Sequence, residues 1–159
     1  MRTARAVIVG AGPAGLGAAY SLATGGVRGV VVLEKGRRIE ERVEERSGKK
    51  ESKLNITCGE GGSGAFSDGK LNFDLHIGWN TDTLTKAKKE EGLESAEKLF
   101  LKYGISCESA GQTGRVAMPA SYQDGAMVLA PSRKIAHAGS DKLPSFVKRM
   151  RDDLSSMGV

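Results

Sequence analysis

Apolar positions along the chain follow two rhythms, and the change between them marks the elements. Ala6-Val7-Ile8-Val9 is a β-branched run without polar alternation, the composition of a strand buried on both faces. Leu16, Ala19, Tyr20 and Ala23 then recur at helical spacing, and Gly25-Gly26 closes that helix. Val30-Val31-Val32-Leu33 reads as a second buried strand. Further on, Leu84, Ala87, Ala96, Leu99, Phe100 and Tyr103 predict a helix or broken pair between Thr83 and Tyr103, with Gly92 as its weak point and Gly104 as its cap. From Ser106 to Gly139 no period is clear, and the small residues there predict loops and short strands of a cap-like region. Leu143, Val147, Met150, Leu154 and Met157 fall on one face of a last helix, which Ser140 or Asp141 can cap and whose first turn tolerates Pro144.

The first strand runs directly into Gly10-Ala11-Gly12-Pro13-Ala14-Gly15, and the second closes at Glu34. Strand, glycine turn, helix, strand and acid within about thirty residues is the pattern of a dinucleotide-binding βαβ unit. Gly10 permits the tight turn, Gly12 lets a pyrophosphate approach the backbone, and Gly15 lets the helix pack on the strand. The helix start offers free N–H groups and a positive dipole end to phosphates. Glu34 can accept hydrogen bonds from a ribose diol, and its charge would repel a 2′-phosphate. The same stretch, Ala6 to Leu33, is weakly charged, as a signal peptide or a membrane span would be. Its seven glycines, one proline and Arg28 argue instead for two strands around a helix in a soluble protein.

A second glycine segment, Gly59-Glu60-Gly61-Gly62-Ser63-Gly64-Ala65-Phe66-Ser67-Asp68-Gly69-Lys70, follows a charged run. Such a composition suits a backbone that comes close to a flat or anionic ligand; the plainer alternative is a flexible surface loop. The GAGPAG opening with Glu34 resembles FAD-binding oxidoreductases of the two-dinucleotide type. The second segment, together with His137 and the stretch Gly139-Ser140-Asp141 to Leu143-Pro144, resembles more narrowly the FAD-dependent dehydrogenases related to geranylgeranyl reductases. The resemblance implies an α/β, Rossmann-like FAD/NAD(P)-binding domain, a parallel sheet with flanking helices. It implies FAD as cofactor, with Gly10, Ala11, Gly12, Pro13, Ala14 and Gly15 at the pyrophosphate, Glu34 at the adenosine ribose and Lys35 beside the adenine. Gly61, Gly62, Ser63 and Gly64 would pass near the pyrophosphate, the ribityl chain or the flavin. His137, four residues before Asp141, stands where related reductases place a basic residue, usually Arg, on the flavin side; an exposed loop position is the other reading.

Composition narrows the classes further. Glycine makes up 22 of 159 residues, about twice the usual share of roughly 7%. Eight aromatic residues are too few for single-strand stacking platforms. The net charge of +5 has no basic focus: from Arg37 to Lys53, seven positive and five negative residues alternate, as on a solvated helix face. No specific nucleic acid is therefore expected as a partner. Cys58 and Cys107 form no CxxC pair, which excludes a disulfide reductase and a zinc site and fits the cytoplasm. No metal is implied. Asp68, Lys70, His76 and His137 are the candidates for acid–base work, each more simply a structural or surface polar group, so the catalytic residues and the small-molecule substrate stay open.

The chain divides on this reading into a βαβ segment with its second glycine loop (1–75), a cap-like insertion (76–139), and a helix leading back to the sheet (140–159). After Gly158-Val159 the pattern leads one to expect another strand, so the chain reads as truncated, dependent on a missing C-terminal region or a partner chain. The function expected is the FAD-binding part of a flavin-dependent oxidoreductase. An NAD-binding dehydrogenase domain, or a non-catalytic nucleotide-binding module or remnant, fits the same residues.

Overall fold

The computed structural model describes residues 3–48, 57–73, 83–105 and 135–159. It holds two compact units, one of Met1–Gly69 and Ala138–Val159, the other of Lys70–His137. Residues 106–134, which carry Cys107 and most of the unpatterned region, and His76 lie outside the described residues.

In the first unit, β1 (Ala6–Val9) and β2 (Val30–Leu33) pair in parallel, Ala6 opposite Val30 and Val9 opposite Leu33. The crossover between them is α1 (Pro13–Thr24), the βαβ unit that the apolar rhythm predicts. Its buried face is Leu16 and Ala19, and it ends at Gly25, with Gly26 at φ +82° after it. The charged run forms α2 (Ile39–Arg46), and a 3-10 turn spans Ser63–Phe66. α4, the last helix (Leu143–Ser156), packs against α1, α2 and the 3-10 turn. Leu143, Phe146, Val147, Met150 and Leu154 are its buried residues, so the predicted stripe is right except that Phe146 replaces Met157.

Three expectations need correction here. The strands are not buried on both faces: Val7, Val9, Val31 and Leu33 are 55, 85, 38 and 52% exposed, because α1 covers one side of the pair and no described residue covers the other. The charged run is not wholly solvated: Ile39, Arg42 and Glu45, three residues apart, turn inward together. Ser140 and Asp141 do not cap α4; its N-cap is Lys142, which makes no side-chain cap, and they lie in the turn before it.

In the second unit, β3 (Lys70–Asn72) runs antiparallel to β4 (Ile135–His137), with Lys70 opposite His137. α3 (Lys86–Lys102) is unbroken through Gly92, a single helix rather than a pair. The Thr85 hydroxyl caps it by accepting from the Lys88 N–H. Gly104, at φ +81°, follows its end, where its N–H donates to the Leu101 carbonyl. Phe73 meets the Phe100 ring edge-on at 6.3 Å, and Tyr103 and Ile105 are buried.

Candidate functional site

The site is built where β1 passes into α1. Gly10 has φ +99°, a conformation that a side chain disfavours, and its N–H donates to the Leu33 carbonyl at 2.7 Å, joining the turn to β2. A Cβ at Gly15 would fall 2.0 Å from the Gly10 carbonyl oxygen, so only glycine lets the first turn of the helix lie against the loop. Gly12 differs from both. Its φ of −74° suits any residue, and an added Cβ would meet no atom within 4 Å. Neither backbone conformation nor packing within the described residues accounts for a glycine there.

Glu34 reaches across from the end of β2. Its Oε2 accepts from the Ala11 N–H and its Oε1 from the Gly36 N–H, both at 2.8 Å. The Ala11 amide, opposed in part by burial and aided by Gly36, holds the carboxyl below its usual range. The Gly59 and Lys35 amides lower it further, so backbone N–H groups from both glycine segments converge on this carboxylate.

The second glycine segment closes on the first. The Gly61 N–H donates to the Ala11 carbonyl at 2.8 Å. A Cβ at Gly62 would stand 3.4 Å from Gly12 Cα, and one at Gly64 would stand 3.3 Å from Pro13 Cγ. Gly59, Gly61 and Gly62 have φ of +110°, +81° and +59°, which is why this stretch is so rich in glycine.

Charged residues of α2 and α4 support the segment, together with its own Glu60. Glu60 is buried; its Oε2 accepts from the Ile39 N–H at 2.8 Å and from Arg151 Nη1 at 3.0 Å. Arg151 also forms a two-pronged pair with Glu40, at 2.8 and 2.6 Å. The hydrogen bond from Arg151 pulls the Glu40 carboxyl down to about 2, and the same bond raises the Arg151 guanidinium. Arg42, buried, donates to the Glu60 and Gly62 carbonyls and lies over the Phe66 ring.

A cavity of about 370 Å3 opens beside Glu34, lined by Ala11, Leu16, Val32, Arg38 and Leu154 among others. Its lining mixes the apolar Leu16, Val32 and Leu154 with the charged Glu34, Arg38, Glu60 and Arg151, the mixture of apolar surface and a few polar groups common in small-molecule sites.

The structure thus brings Gly10, Ala11, Gly12, Pro13, Glu34, Gly61, Gly62 and Gly64 together. Ala14 and Ser63 are exposed beside them, and Lys35 is exposed next to Glu34. His137 is exposed on β4 in the second unit, as is Lys70 on β3; Asp68 is exposed ahead of that strand. Arg42, Glu60, Glu40 and Arg151 were not legible as parts of the site. The one signal for Arg42 is its place three residues after Ile39, on the same side of α2. Among the described residues no cluster of His, Cys, Asp and Glu could hold a metal, and no helix is long and apolar enough to cross a membrane.

Residues 8–46 match the family model of the NAD(P)-binding Rossmann-like domain. The chain is similar to an uncharacterized protein of Clostridium beijerinckii (strain ATCC 51743 / NCIMB 8052), 29% identical over 160 residues. That alignment takes in 98% of this chain and 24% of the relative, so the chain spans about a quarter of its relative's length. With its parallel strand pair, crossover helix and glycine turn, the N-terminal part of this chain is a Rossmann-like nucleotide-binding domain.

Proposed function

We propose that this chain is the FAD-binding part of a flavin-dependent oxidoreductase. The observation that carries this reading is the meeting of two glycine segments at a glycine, Gly12, for which nothing among the described residues calls. A dinucleotide explains both facts: its pyrophosphate needs an approach free of side chains, and an extended cofactor needs a second backbone contact beyond the first turn. Gly10 to Gly15 would hold the pyrophosphate, Glu34 the adenosine ribose, and Gly61 to Gly64 the portion toward the flavin. Lys35 would lie beside the adenine, while His137 lies on β4 of the second unit. When bound, a flavin supplies hydride or single-electron transfer, while the protein binds and orients it.

The second reading is NAD, favoured by the description of the family model that residues 8–46 match. A visible spectrum of the purified chain, taken after FAD is added and the excess removed, separates the two. A flavin band that stays with the protein is expected. A folded, colourless chain that binds NAD would replace FAD with NAD.

A further inference from the structure

Three peptide groups of the second glycine segment lie in a row, and a buried arginine holds every other carbonyl. Arg42 donates through Nη1 to the Glu60 carbonyl and through Nη2 to the Gly62 carbonyl, the latter at 3.0 Å. It is only 4% exposed, its guanidinium lies 4.8 Å from the centre of the Phe66 ring, and its Cδ occupies the space that a Cβ on Gly59 would need.

In a trans peptide the carbonyl of one residue and the N–H of the next point to opposite sides. No peptide among the described residues is cis. Binding the Glu60 carbonyl therefore turns the Gly61 N–H away from Arg42, and that N–H is found on the Ala11 carbonyl at 2.8 Å. Binding the Gly62 carbonyl turns the Ser63 N–H away from Arg42 in the same manner. Gly62 itself lies over Gly12 and Pro13.

We propose that Arg42 is a positioning residue of the dinucleotide site, bridging alternate carbonyls of the second glycine segment so that the Gly61 amide locks onto the first turn and the Ser63 amide is presented to the pyrophosphate. The last clause rests on the dinucleotide reading above. Arginine suits the task because its planar fork reaches two acceptors at once. Lysine carries the charge on a single nitrogen, and methionine fills much of the volume with neither charge nor donors.

The test compares the full 159-residue chain with Arg42→Lys and Arg42→Met, using thermal unfolding, amide hydrogen exchange across residues 59–64, and titration with FAD and with adenosine. In a folded Arg42→Met, exchange at Gly61 should rise about tenfold and FAD affinity should fall about tenfold, with adenosine binding unchanged; Arg42→Lys should fall between. Loss of FAD and adenosine binding in equal proportion, or unchanged Gly61 exchange in the folded variant, would overturn the proposal. If Arg42→Met does not fold, Arg42→Lys is judged by the same two readouts. A wild-type chain that takes up neither FAD nor NAD overturns the dinucleotide reading and with it the role of the Ser63 amide. Gly61 exchange then decides separately whether Arg42 holds the loop.

Discussion

The Ala11 carbonyl accepts the Gly61 N–H at 2.8 Å, while the Ala11 N–H is held at the same distance by Glu34. The main chain of one buried alanine therefore joins the first glycine turn, the acid at the end of β2 and the second glycine segment. None of these links uses the alanine side chain. Substituting Ala11 tests packing alone, whereas changes at the glycines and at Glu34 test the joint itself.

Gly12 and Gly15 should separate binding from stability. Gly12→Val places a side chain where the structure has open space, so dinucleotide binding should be lost while stability falls by about 1 kcal/mol or less, the cost of a poorer N-cap. Gly15→Ala puts a methyl 2.0 Å from the Gly10 carbonyl oxygen and should destabilise by about 2–4 kcal/mol. Denaturant unfolding and FAD titration on both variants check the pair; a Gly12→Val chain with wild-type affinity would remove Gly12 from the site.

Glu34→Gln should weaken the fold even without nucleotide, since an amide cannot accept from both the Ala11 and Gly36 N–H groups as the carboxylate does. The expected loss is about 1–2 kcal/mol. Because the Glu34 carboxyl is held below its ordinary value of 4.5, its contribution is fully present above that pH and fades as pH falls through the lowered value. Unfolding curves of wild type and variant should therefore converge in acid. A constant gap down to pH 2 would assign the loss to packing instead.

The pair of Glu40 and Arg151 predicts a second acid-sensitive contribution. The Arg151 hydrogen bond pulls the Glu40 carboxyl from its ordinary 4.5 down to about 2, so its support for the contact between α2 and α4 is complete above about 4.5 and is lost on the way down to 2. Its carboxylate is 42% exposed, which limits the effect to about 1 kcal/mol at low salt. Glu40→Gln should flatten the pH dependence of unfolding in that window, and added salt should shrink the difference. An unaltered slope in Glu40→Gln would show that the pair contributes nothing measurable.

Val9 and Leu33 point away from α1 and are substantially exposed. Replacing both with lysine should leave the unfolding free energy of the monomer within about 0.5 kcal/mol while lowering light scattering and binding of a hydrophobic dye. A cooperative loss of the fold in the double variant would mean that this face is packed in solution.

The βαβ unit was legible because each of its requirements leaves a local mark: a β-branched run, glycines at set spacing, an acid at the strand end. The final helix was legible for the same reason, through the spacing of Leu143, Val147, Met150 and Leu154. Arg42 was not, because composition marks a charged helix as solvated and its partners, the Glu60 and Gly62 carbonyls and the Phe66 ring, come from a distant part of the chain. The cap of α4 was misread because Ser140 and Asp141 carry the chemistry of a cap while the turn at Gly139 delays the helix to Leu143. The exposed strand faces could not be foreseen, since a run of valines fits burial on one side as well as on two.

Where the nucleotide-binding unit is interrupted, its two cut ends touch. The Ala138 N–H donates to the Gly69 carbonyl at 2.8 Å, and a Cβ on Gly69 would lie 2.8 Å from the Gly139 nitrogen. Residues 70–137 thus leave and re-enter through a gap that a tight turn could bridge. An excursion anchored in this way can be lengthened, shortened or exchanged without shifting either anchor. Recombination at these two glycine-marked points offers a route by which such a domain keeps its paired glycine segments while trading the stretch between residues 69 and 138.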